Sequence, residues 1–143
     1  MSVPSEDYNI DMMPLKDTVA PIAGANYTYT VPADKAGRIY GLAFHLETDG
    51  NAANRTVVTD VSRGAKPLWR SPTSAVQTAG LDNYYLFWAG MAVSDGAAQA
   101  IRTWAFPNFI DLKAADVITI TVTNKQVGDQ ITPQLSYKEM ALI

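Results

Sequence analysis

The stretch VITITVT, residues 117–123, decides how the chain is read. Ile118, Ile120 and Val122 alternate with Val117, Thr119, Thr121 and Thr123. A period of two sends successive side chains to opposite faces, so this run is a strand with a buried Ile/Val face and a wetter Thr-rich face. The same alternation recurs on either side of it. Downstream, the polar NKQVGD loop leads into Ile131–Lys138, with Ile131, Leu135 and Tyr137 expected inward and Thr132, Gln134 and Ser136 outward. Pro133 inside that run points to an edge position or a bulge, because proline donates no hydrogen bond to a ladder.

Upstream, YTYTV (Tyr27–Val31) and Arg38–Glu47 alternate too. The second predicts one face of Tyr40, Leu42, Phe44 and Leu46 and an opposite face of Ile39, Gly41, Ala43 and His45. Thr56–Val61 is β-branched, and Tyr84–Trp88 is aromatic. Ile101–Phe106 sets Arg102, Trp104 and Phe106 on one side. Shorter strands are expected near Leu68–Trp69 and Ala75–Thr78. No window carries a helical stripe. Eight or nine short strands separated by turn signals predict an all-β fold, an antiparallel β-sandwich over residues 27–143. Its core is expected to hold Leu42, Phe44, Leu86, Ile118, Ile120 and Leu135.

Residues 1–26 read as an extended N-terminal arm. Pro4, Pro14 and Pro21 exclude helix and central strand. Tyr8, Ile10, Met12, Met13 and Leu15 follow no period, yet they are more apolar than a solvated tail requires. They are candidate interface residues of a strap lying on a neighbouring subunit.

Composition narrows the function. Only 17% of the 143 residues are charged against 48% hydrophobic, a balance that points to surface buried against partners. The net charge is −3 with no Lys/Arg cluster, so the footprint expected for nucleic-acid binding is missing. With no cysteine, disulfides, thiolate zinc sites and a Cys nucleophile are excluded. The longest apolar run, Tyr84–Val93, is about half of the roughly 20 residues a membrane span needs. The chain is therefore expected to be made in the cytoplasm and to stay soluble until it assembles.

Chemical motifs are sparse. His45 is the only histidine, and it lies in a strand pattern without a nucleophile elbow. It reads as a strand residue facing a sheet or an interface. Among the acids, Glu47, Asp49 and Asp60 are close in sequence and Asp111 and Asp116 flank one segment, but Asp49-Gly50 and Asp95-Gly96 read as turns. Phosphate-binding glycine motifs and EF-hand loops are absent. The expectation is a non-enzymatic protein with no catalytic residue, cofactor or metal. Trp69, in AKPLWRSP beside Lys66 and Arg70, reads in three ways. With Arg70 it is a candidate interface anchor, or with Tyr84 or Tyr85 a sugar platform; alternatively it caps the end of the sandwich.

The segments YTYTVPADKAGRIYGLAFHLETDGNAANRTVVTDV and LKAADVITITVTNKQVGDQITPQLSYKEM together resemble small β-sandwich virion proteins of tailed bacteriophages. The likeness rests on the Tyr-x-Val-Pro opening, Asn54-Arg55 before the third strand, Leu112 to Asp116 before the Thr/Val/Ile strand, and the Gly128-Asp129 loop. Ala115 stands where that pattern has glycine. The resemblance spans residues 27–139. It implies a jelly-roll-like sandwich and a place in the virion, as a capsid decoration or cement protein bound to the major capsid protein. It also implies a homo-oligomer, with a trimer as the leading form. A tail or fibre component, or a carbohydrate (receptor)-binding module, is the alternative.

Overall fold

The computed structural model describes residues 19–73 and 75–142, and among them there are strands and no helix. Nine strands run in chain order: β1 Tyr27–Thr30, β2 Lys35–Glu47, β3 Thr56–Arg63, β4 Lys66–Pro72, β5 Asp82–Trp88, β6 Ile101–Ala105, β7 Ile110–Leu112, β8 Val117–Thr123 and β9 Gln130–Ala141. They form the two sheets of a β-sandwich. One sheet has the order β1-β8-β3-β4. In the other, β2 is central, paired with β9 along one side and with β5 and then β7 along the other, while β6 lies outside β5. The fold class matches the alternation, and β8 has the limits its sequence predicts.

The core lies between the sheets. Ile118, Ile120 and Val122 of β8 meet Leu42, Phe44 and Leu46 of β2, with Ile131 and Leu135 of β9 beside them, all buried. A cluster of aromatic rings forms part of the interior. Phe44 lies on Tyr85 at 4.8 Å between ring centres, Phe87 on Trp104 at 4.9 Å, and Trp69 meets Phe106 edge-on at 4.6 Å. Such pairs each contribute about 0.5–1.5 kcal/mol beyond the area they bury.

Four expectations need correction. A bulge between Ile39 and Gly41 inserts Tyr40 as an extra residue in β2, so Ile39 joins the core while Tyr40 stays half-buried. A bulge reverses the facing of everything before it. Leu86 does not lie in the core: β5 buries Asn83, Tyr85 and Phe87, and Leu86 pairs with Ala43 on the outward side. Ser136 keeps its outward register opposite Gly41 but is buried. The strand expected at Ala75–Thr78 is only a bridge, Gln77 with Arg55. The short β7 carries too few residues to show a period.

One pairing is parallel, β5 with β6. A parallel pair cannot be joined by a tight hairpin and needs a return run of about a dozen residues. Residues 89–100 supply it, running back along β6, where Ser94 bridges Thr103. Ahead of β1, Gly24 donates to the Asp129 carbonyl at 2.8 Å and Gln130 Nε2 donates to the Pro21 carbonyl at 2.8 Å. Residues 21–24 are thereby bonded to the start of β9.

Candidate functional surface

At the end of the sandwich where β2 finishes, Arg55 enters fully buried from the β2–β3 loop. Its Nε and Nη2 donate to the two oxygens of Asp129, each at 2.9 Å. Nη2 also donates to Asp49 at 2.9 Å and Nη1 to the Ala53 carbonyl at 3.0 Å. Asp129 accepts two further bonds, from the amides of Asp49 and Gln126. Burial pushes the Asp129 carboxyl up, but Arg55 and these two amides outweigh it and hold it below the usual range. Gly128 lies against Asp49, where a Cβ would come within 2.8 Å of its carboxylate. The clasp thus joins Asn54-Arg55 to Gly128-Asp129, two pairs separated by 74 positions.

The opposite end is closed in a similar way. Asp116, buried, accepts Arg63 Nη2 at 2.8 Å and Nε at 3.0 Å, and it also accepts the Lys113 amide at 2.8 Å. Burial raises its carboxyl, but Arg63 and the Lys113 amide outweigh this and leave it below the ordinary value. Ala115 occupies the turn at φ +73°, a left-handed conformation in which glycine has no Cβ penalty.

A third arginine is less evident from sequence. Arg102, fully buried, donates to Tyr85 Oη at 3.0 Å and to the carbonyls of Val76, Ala97 and Gln99. Tyr85 passes the chain on to Gln77 Oε1 at 2.8 Å, and Gln77 Nε2 donates to the Leu46 carbonyl. Burial pushes the Tyr85 hydroxyl up to about 12 despite Arg102 beside it. Alternation placed Arg102 on the Trp104 side; the acceptors come from loops that no local pattern marks.

The surface itself divides by residue type. On the outward side of the β2 sheet, β5 presents Tyr84, Leu86 and Trp88, and β6 presents Ile101 beside Tyr84. Tyr84 and Ile101 are 46% and 58% exposed, so β5 is apolar on both faces. Trp88 lies over Gly41, where a Cβ would come within 2.3 Å of the indole. Next to this apolar strip, His45 Nδ1 is 2.8 Å from Asp82 and 3.7 Å from Glu47, and its ring stacks on Tyr84. The three donor atoms lie within 4.8 Å of one another, a nitrogen and two oxygens that could hold a divalent cation. The same geometry is that of an exposed histidine–carboxylate pair.

The residues singled out from sequence are not gathered into one site. Tyr8, Ile10, Met12, Met13 and Leu15 lie outside the described residues. Trp69 is half-buried, its ring against Phe87 and Phe106, and Arg70 is exposed and pairs with Asp60 at 3.4 Å. The sugar platform of Trp69 with Tyr84 or Tyr85 is not assembled, since Trp69 and Tyr85 face the interior and Tyr84 faces outward. Asp49 and Asp116, weighed as acids, serve the two clasps, and Asp111 pairs with Arg38 at 2.7 Å. No family model, curated protein or solved structure matches this chain.

Proposed function

We propose that the protein is a non-enzymatic structural subunit of a tailed-bacteriophage particle: a decoration protein that binds the outside of the head, contacts the major capsid protein and stabilises the shell as a homo-oligomer. The observation that carries the assembly reading is the outward face of β5. Tyr84, Leu86 and Trp88 with Ile101 form an apolar strip on a sheet face that a free monomer would keep polar. The resemblance supplies the particle, and one residue of each of its quoted pairs has a physical use here: Arg55 and Asp129 meet in one buried clasp. A shell component under outward load benefits from loops tied to the sandwich in this way.

The test is to add purified, labelled protein to expanded heads that lack it and to image them by electron microscopy. Saturable labelling at regular positions on the head, with a higher temperature of genome release, is the expected result. Label on the tail, or no binding to heads, overturns it.

A further inference from the structure

The outward face of the β2 sheet is polarised along β2. At the Glu47 end it carries Glu47 and Asp82, register partners of like charge, with His45 and the exposed Tyr84. At the Lys35 end it opens into a cavity of about 450 Å³ lined by Arg38, Tyr40, Lys138 and Met140, with Asp111 paired to Arg38. Between these ends the face is apolar on β2 and β5, with Gly41 and Ala43 on β2 and Leu86 and Trp88 on β5, while β9 adds Gln134 opposite Ala43.

We infer that this face is the contact between two copies of the chain, packed face to face and antiparallel about a two-fold axis near Ala43. Arg38 and Glu47 lie about 26 Å apart along β2 at roughly 3.3 Å per ladder step, the bulged Tyr40 adding none, and Ala43 falls at the midpoint. A two-fold rotation there sets the Glu47–Asp82 end of each copy on the Arg38–Lys138 end of the other. Tyr84 of each copy then faces the cavity of its mate. Because both halves of the match lie on one face, a single contact satisfies both and the assembly closes at two. Trp88 lies over Gly41, so at the axis the two copies meet through Ala43, Leu86 and the Trp88 indole. Net charge opposes the meeting only weakly, since the whole chain carries −3. The face measures about 26 Å by 15–20 Å from strand spacings, near the low end of specific interfaces, so the pair is reversible.

This inference deepens the assembly reading by naming the partner as a second copy, and it replaces the three-fold arrangement that the resemblance implies. Its test uses the full chain free in solution, so a failure leaves head binding to be judged by its own experiment. Sedimentation velocity across concentration is expected to show a monomer–dimer equilibrium that weakens with added salt. Glu47→Lys with Asp82→Lys, and separately Arg38→Glu with Lys138→Glu, each weaken it at least tenfold. An equimolar mixture of the two variants restores the dimer, because each end again meets an end of opposite net charge. Circular dichroism checks that both variants keep the β fold, and Leu86→Glu, at the apolar centre, supplies an independent disruption. A monomer at all concentrations, a trimer, or an association indifferent to both charge reversals overturns the inference. So does failure of the mixture to re-form the dimer.

Discussion

The two ends of the sandwich are closed by the same chemistry in different surroundings. Arg55 and Asp129 are both buried, and Arg55 spreads its donors over two carboxylates and a carbonyl. At the other end Asp116 is as deeply buried, but the Arg63 side chain is 41% exposed. Solvent can take the place of Arg63 and cannot readily reach Asp129. What differs between the clasps is therefore the state left behind when the arginine is removed: a stranded charge in one and a hydrated one in the other.

Acid should remove both clasps together and have the largest effect. The folded values of Asp129 and Asp116 lie below the ordinary aspartate value of about 3.9. Their contribution is thus fully present above that value and lost as pH falls through the depressed folded values. Thermal melts should be nearly flat from pH 7 to 5 and drop steeply below pH 4. Asp129→Asn should flatten that acid limb, and a limb of unchanged steepness would separate the clasp from acid stability. Next in size, Arg55→Ala should cost about 3–5 kcal/mol, lowering the melting temperature by about 10 °C. Arg63→Ala should cost less, about 1–3 kcal/mol, because the Lys113 amide and water still serve Asp116. Equal losses in denaturant titrations of these two variants would erase the contrast between the ends. The smallest change sharpens it: Ala115→Gly relieves the left-handed turn beside Asp116 and should stabilise by about 0.5–1 kcal/mol, raising the melting midpoint by about 2 °C.

How much of this could be read in advance varies with the physics of each element. In β8 apolar and Thr residues alternate cleanly, so one face had to be buried, and the limits and the facing both follow. In β5 the run YYLFW is apolar in both registers, and alternation alone could not choose between Tyr85/Phe87 and Tyr84/Leu86 as the inner face. The pairing of Leu86 with Ala43 settles it, and that is information held in another strand. Likewise, the bulge at Tyr40 exists because β9 offers one residue fewer than β2 across that interval. The Arg55–Asp129 clasp was visible as separate motifs, Asn54-Arg55 and Gly128-Asp129, but not as a contact. Trp69 was legible as anchor, sugar platform or cap, and its packing on Phe106 is decided by a residue 37 positions away, just past β6.

The ladder between β2 and β9 has a consequence in time rather than in space. It pairs Lys35 with Ala141 and Glu47 with Gln130, and β2 thus gains its longest neighbour only by closing a very large loop. Chains dominated by such distant pairings fold in milliseconds to seconds, where helical bundles of similar size take microseconds to milliseconds. Until that closure β2 presents an unpaired edge along its whole length, and the nascent protein passes through a window in which it can pair with the wrong chain.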